Sequence, residues 1–208
     1  MKVLLVNGSP HANGCTYTAL CEVASSLEQN GIETEVFQLG NKPIAGCMGC
    51  TACVKTGKCV IDDAVNVFLE KAKTADGFIF GSPVHYASAS GAMTSFLDRL
   101  FFGSKHHAMF ADKPVASVVS ARRAGSTAAL DQLNKYFVSN NMMLVGSQYW
   151  NLVHGNTPEE LRQDAEGMQT MRSLGINMSW LLKCIEAGNN AGIERPKREI
   201  TVRTNFIR

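Results

Sequence analysis

Strand-like apolar runs and helical repeats alternate from one end of this 208-residue chain to the other, and that alternation restricts its fold more than any other feature. Strand then helix, repeated, is the order of a parallel sheet covered on both faces, because parallel neighbours need a long crossover and a helix supplies it compactly. Residues 3–6 form a short continuous apolar run ending at Asn7-Gly8-Ser9-Pro10, and residues 16–29 carry apolar side chains at helical spacing up to a cap at Asn30-Gly31. Residues 34–39 read as a second strand, the cysteine-rich stretch after it as loop, and residues 63–75 as a helix with Asp62 and Asp63 placed to cap its first turn. A third, buried strand begins at residues 78–80; residues 82–90 read as loop and residues 91–102 as helix capped by Ser90. Residues 114–120 and 142–145 supply the fourth and fifth strands around a helix at 126–138, before one long helix at 158–187 and a strand-like stretch at 200–202. The expectation is an α/β fold: a single domain over residues 1–208, with a doubly wound five-stranded parallel sheet of order 2-1-3-4-5 and helices on both faces. Such sheets bind ligands outside the carboxyl ends of their strands where the strand order reverses, so function belongs in the loops after the first, third and fourth strands.

Charge and cysteine usage remove several classes of function. Twenty basic against eighteen acidic side chains leave +2, too small and dispersed for a nucleic-acid partner, although a small anionic ligand stays open. No apolar run approaches the ~18 residues of a membrane span, and Met1 leads straight into a strand-like run without a signal-peptide pattern, so a cytoplasmic protein with no membrane partner is expected. Seven cysteines in a reducing compartment are poor disulfide material, and four of them lie between Cys47 and Cys59.

The first loop, GSPHANGCT at residues 8–16, has two glycines, hydroxyls at Ser9 and Thr16, and a helix starting at its end. Free backbone N–H groups and the positive end of a helix dipole make that a phosphate cradle, to which Ser9, Asn13, Cys15 and Thr16 can present donors. It is not the G-x-G-x-x-G of a dinucleotide fold nor the Gly-Lys-Ser/Thr of a nucleotide triphosphatase, and a phosphatase arginine six residues after Cys15 is replaced by Cys21. A structural turn is the plain alternative. The second loop, within GSPVHYASASGAMTSFLDR, offers a stiff backbone at Pro83 and Val84 and planar side chains at His85 and Tyr86, as a flat ring system requires; a simple connection capped by Ser90 is the alternative. The third, SARRAGST, puts Arg122, Arg123 and Gly125 within reach of a carbonyl edge or a second anion, or leaves the arginines solvated. Asp98 and Arg99 read as a local ion pair.

These loops together, GSP with NG-x-T after the first strand and GSPV-x-Y with SG and FLDR after the third, resemble the NAD(P)H-dependent FMN reductase branch of the flavodoxin-like flavoproteins over roughly the first 140 residues. The resemblance implies a flavodoxin-like FMN-binding domain in which Ser9, His11, Asn13, Cys15 and Thr16 surround the FMN phosphate. It further implies that Pro83, Val84, His85 and Tyr86 line the isoalloxazine, and that Ser120, Arg122 and Gly125 close its other edge. Two positions depart from the family's commoner pattern: His11 stands in place of an arginine and Cys15 in place of an asparagine, which shifts the burden of phosphate binding toward backbone donors.

Within the cysteine-rich loop 46–60, Cys47, Cys50, Cys53 and Cys59 follow C-x2-C-x2-C-x5-C among Gly46, Gly49 and Gly57. Two-residue gaps let a chain turn successive thiolates toward one centre, which suits a [4Fe-4S] cube. Zinc and free thiols are the alternatives, zinc sites more usually splitting their ligands into two separated pairs. The iron–sulfur flavoproteins are similar to this chain in both the FMN loops and the cysteine spacing. Cys21 and Cys184 fall in helix patterns and read as buried hydrophobes.

The resulting expectation is an NAD(P)H oxidoreductase in which FMN carries the chemistry at its N5 and no side chain acts as acid or base. Electrons would pass, through a cluster if the cysteines hold one, to a small-molecule acceptor or a redox partner protein. The competing readings are a flavodoxin-like shuttle, which a charge of +2 opposes, a reductase without a cluster, and a zinc-stabilised interaction module. The resemblance also implies a homodimer or homotetramer, with Tyr149-Trp150-Asn151, His154 and the tail as contributors, although Trp150 reads equally well as core, as do Phe101 and Phe102. The basic tail 195–208, with Arg195, Lys197, Arg198, Arg203 and Arg208 against Glu194 and Glu199, reads as a solvated face first and a pyridine-nucleotide phosphate site second.

Overall fold

The computed structural model describes residues 1–104, 107–197, 199, 202 and 204; Ile200 and Thr201 of the strand-like stretch, and Arg198, Arg203 and Arg208 of the tail, lie outside the described residues. The elements in chain order are β1 (Lys2–Asn7), α1 (Cys15–Gln29), β2 (Glu33–Gln38), α2 (Ala52–Thr56), α3 (Ala64–Ala72), β3 (Gly77–His85) and β4 (Ser88–Ala89). They continue as α4 (Gly91–Ser104), β5 (Pro114–Ala121), α5 (Ser126–Ser139), β6 (Met143–Leu144), β7 (Leu152–His154), α6 (Pro158–Gln163) and α7 (Ala165–Asn190).

β1 shows why the sheet is covered on both sides. Leu4 and Val6 point into one core with Phe68, Phe78, Phe80, Phe96 and Phe137, whereas Val3 and Leu5 point into the other with Leu20, Val23, Met171 and Leu174. Successive side chains of a strand face opposite ways, so a run that is apolar at every position must be buried twice. Helices α3, α4 and α5 pack on the phenylalanine side, and α1 and α7 on the aliphatic side.

Among the described residues the sheet has seven strands, five on the path β2-β1-β3-β5-β6 with β4 antiparallel to β3 and β7 parallel to β5 beside it, which corrects the expected five-stranded 2-1-3-4-5 arrangement. The edge beside β5 is filled in two pieces: Met143 and Leu144 pair with Pro114 and Val115, and Leu152 to His154 pair with Val119 to Ala121. Between them the chain leaves the ladder because α7 takes up its polar groups, Asn177 donating to the Gly146 carbonyl at 2.8 Å and Ser173 to Gln148 at 2.9 Å. The extra strand β4 comes from residues expected as loop. Pro83 still pairs in parallel register with Ser120, and a hairpin then returns through Tyr86 and Ala87, both at positive φ (50° and 57°). The cysteine stretch also holds one short helix, α2, and the expected long C-terminal helix is broken at Asp164 into α6 and α7.

Candidate functional site

At the carboxyl ends of β1, β3 and β5 lies an open crevice of about 770 Å³, inside the roughly 300–1,000 Å³ of small-molecule sites. Its floor is the first loop, whose shape the sheet dictates. Asn7, fully buried at the end of β1, accepts from the Ser9 N–H at 3.1 Å and donates to Gln38 at 2.5 Å and to the His11 carbonyl at 3.4 Å. Gln38 of β2 donates in turn to the Ser9 carbonyl at 2.7 Å, and the Ser9 hydroxyl accepts from the His11 N–H at 3.2 Å. The loop enters α1 through Gly14, with no side chain capping the helix and no acidic residue in its first turn. α3, α6 and α7 are by contrast capped by Asp63, Thr157 and Asp164. An uncapped first turn facing a crevice leaves its N–H groups and dipole for an anion.

Ser9, His11, Asn13, Cys15 and Thr16 all line the crevice, as do Pro83, Val84, His85, Ser120 and Arg122. Thr16 and Ser120 are buried at its base and joined hydroxyl to hydroxyl at 2.8 Å, tying α1 to β5. Two of the expected residues are not in the wall. Tyr86 is fully solvent-exposed at the hairpin tip, and Gly125 (φ 85°) lies behind the wall against Ala87. Residues 155–158, at the start of α6, form a wall that no motif announced. Burial is the main influence that pushes the Cys15 thiol above its usual range, the helix N–H opposing and Glu160 and Glu159 reinforcing it, and its Sγ meets the Gly155 carbonyl at 3.6 Å. None of the described residues lining the crevice is a carboxylate and Arg122 brings a fixed positive charge, which suits an anionic ligand.

Cys47, Cys50, Cys53 and Cys59 line a second, small cavity of about 20 Å³ together with Ile61, Arg99 and Phe102. Cys47 and Cys50 are exposed, Cys59 is part-buried and Cys53 is buried on α2. Burial foremost, then the proximity of Cys59, Cys50 and Cys47, pushes the Cys53 thiol up against a backbone hydrogen bond that lowers it. Among the described residues no group of three or more His, Cys, Asp or Glu comes together as ligands to a single metal ion. Arg99 is the residue the sequence reading misplaced. It pairs with Asp63 rather than with its neighbour Asp98, through two bonds of 2.6 and 2.9 Å, and its Nε donates to Cys59 Sγ at 3.3 Å. Asp98 accepts instead from the Tyr136 hydroxyl at 2.6 Å. A pair 36 residues apart leaves no local pattern to detect. Cys184 is exposed, Cys21 is part-buried, and Phe102 is 39% exposed while Phe101 is core, which corrects the expectation of buried side chains at three of these four positions. Helical spacing explains the outlier on α7, where Met178 and Leu182 face inward and Cys184 turns out.

A family model described as NADPH-dependent FMN reductase matches residues 1–157. An iron–sulfur flavoprotein of Methanocaldococcus jannaschii is 31% identical over 194 residues, covering 89% of this chain and 100% of that protein. An iron–sulfur flavoprotein of Methanosarcina thermophila is 25% identical over 189 residues, covering 89% and 97% respectively. A solved flavodoxin, a WrbA-like protein from Agrobacterium tumefaciens, superposes with a TM-score of 0.59 at 16% identity, covering 88% of this chain and 96% of that one, a likeness of fold.

Proposed function

This chain belongs to the NADPH-dependent FMN reductase family, in its iron–sulfur flavoprotein branch, and from that premise we propose that its crevice holds FMN and its four-cysteine loop an iron–sulfur cluster. It is a flavin-dependent oxidoreductase with FMN as cofactor and NAD(P)H as co-substrate. The finer reading is that electrons from the nicotinamide leave by way of a [4Fe-4S] cluster to a small-molecule or protein acceptor.

The observation that carries the FMN assignment is the uncapped start of α1 opening into the crevice. In this reading the backbone donors of residues 9–16, with Thr16, grip the phosphate, and Asn7 and Gln38 keep those donors pointed inward. Pro83, Val84 and His85 present a stiff edge to the ring, while Ser120 and Arg122 offer donors across from it. When bound, FMN supplies the acceptance of a hydride and its return as electrons, which is why no acid or base need stand in the wall. For the second centre the donor set is the argument. Four thiols at C-x2-C-x2-C-x5-C spacing line one cavity with a buried guanidinium, and an all-thiolate set in one continuous run suits a cluster, zinc sites more usually splitting their ligands into two separated pairs.

An absorbance spectrum of the full chain purified without oxygen tests this directly. Flavin bands with a broad iron–sulfur shoulder, four irons and four sulfides per chain on the order expected for one cube, and steady-state oxidation of NADH or NADPH with an artificial acceptor are expected. Flavin without iron removes the cluster, and bound flavin that neither nicotinamide reduces removes the proposed electron donor.

A further inference from the structure

Arg99 is an arginine with a side chain only 1% exposed, and every one of its N–H groups has an acceptor. Nε donates to Cys59 Sγ, one terminal nitrogen to Asp63 Oδ2 and, at 3.4 Å, to the Ala45 carbonyl, and the other to Asp63 Oδ1 and, at 2.9 Å, to the Ile61 carbonyl. Guanidinium has five such donors, so the group is saturated and cannot swing away. Its partners bracket the cysteine loop, Ala45 before the first cysteine and Ile61 after the last. Cys59 is held from a further side as well. Asn66 of α3 accepts from its N–H and donates to its carbonyl, both at 2.9 Å. Of the four cysteines, then, Cys59 has its backbone clamped and its sulfur set against a buried cation, whereas Cys47 and Cys50 stand exposed.

We propose that Arg99 is a positioning residue for the four-cysteine site, fixing Cys59 as a cation-backed ligand and thereby raising the reduction potential of the cluster held there. The inference rests on the cluster reading given above. Hydrogen bonds and positive charge at a ligand sulfur favour the more negative, reduced state of a cluster, and a cation shielded from water acts more strongly than a surface one. Arg99 itself transfers neither proton nor electron. Asp63, its counter-charge, lessens the effect, and since it also caps α3 by accepting from the Val65 N–H at 3.0 Å, asparagine can replace it without losing the cap.

The test is a dithionite titration, with mediators and an electron-paramagnetic-resonance readout, of the full chain purified without oxygen. Relative to wild type, Arg99→Gln is expected to shift the reduction equilibrium about tenfold toward the oxidised cluster, ~59 mV for a one-electron couple, and Asp63→Asn to shift it the opposite way. A strut that merely joined α4 to α3 would lower cluster content in both variants without opposed shifts in potential, and that result overturns the proposal. If Arg99→Gln does not fold, the sign of the Asp63→Asn shift alone decides, an unchanged or lowered potential overturning it. Wild-type protein without iron overturns the cluster reading and this inference together, while iron with unmoved potentials overturns only the role of Arg99.

Discussion

Asn7 is the residue through which the sheet shapes the phosphate loop: one buried amide serves the Ser9 N–H, the His11 carbonyl and Gln38 at once. Asn7→Ala would leave those partners wanting, at about 1–3 kcal/mol for each buried group left unsatisfied. FMN affinity, followed by quenching of flavin fluorescence, is therefore expected to fall by about ten- to a hundredfold, with a smaller loss for Gln38→Leu. Cys15 behaves differently although it sits in the same loop. With its thiol held above the usual range by burial, it remains protonated at neutral pH and puts no negative charge beside the phosphate. Cys15→Ser should keep FMN affinity within about threefold, and alkylation of Cys15 in the flavin-free chain should accelerate only above the ordinary thiol pKa of about 8.5. At this scale the sequence was informative where a motif names its own residues, as in Ser9 to Thr16, silent on the roles of Asn7 and Gln38, and misleading on Arg99, whose partner is not its neighbour Asp98 but Asp63, distant in the chain.

The break between α6 and α7 shows how one side chain overrides a helical repeat. Asp164 accepts from the Gly167 N–H at 2.9 Å through one oxygen and from the His154 N–H at 2.7 Å through the other, capping α7 and tying it to β7. Its own backbone (φ −71°, ψ 77°) is not helical. Asp164→Ala is expected to destabilise the fold by about 1–2 kcal/mol in urea unfolding, with Asp164→Asn recovering much of the loss. Apolar spacing could not reveal this break, because the pattern of Leu161, Met168 and Met171 runs through it and the competing bond goes to a strand. The hairpin from β3 to β4 was hidden for a related reason. Two-residue hairpins with positive φ at both central positions are signalled by Asn-Gly or Asp-Gly. Here Tyr86 and Ala87 take those positions while Gln132 of α5 accepts from both the Ser88 hydroxyl, at 2.7 Å, and the Ala89 N–H, at 2.9 Å. A tertiary contact thus substitutes for the turn signal.

The aliphatic half of the molecule depends on how closely α7 lies on α1. A Cβ at Gly175 would stand 2.6 Å from Ser26 Cβ and 2.9 Å from the Val23 carbonyl, so Gly175→Val must push the helices apart. Overpacking of this sort costs about 1–3 kcal/mol, and because α1 also floors the crevice, a fall in melting temperature should come with weakened FMN binding. Ile176 and Trp180, one helical turn apart on the same helix, are by contrast exposed. The homodimer or homotetramer expected of this chain predicts a sedimentation mass at least twice that of one chain, and Trp180→Asp should lower that mass if this face is used. No helix among the described residues is long and apolar enough to cross a membrane. What the amino-acid order determined by itself was the alternation that makes a two-sided parallel sheet, the loops that face its carboxyl edge and the cysteine spacing, because each is written in near neighbours and in the periods of helix and strand. Only the tertiary structure decided that the sheet edge is built from β6 and β7, that Tyr86 stands outside the crevice, and that Arg99 reaches Cys59, because each depends on groups far apart in the chain whose approach is set by packing.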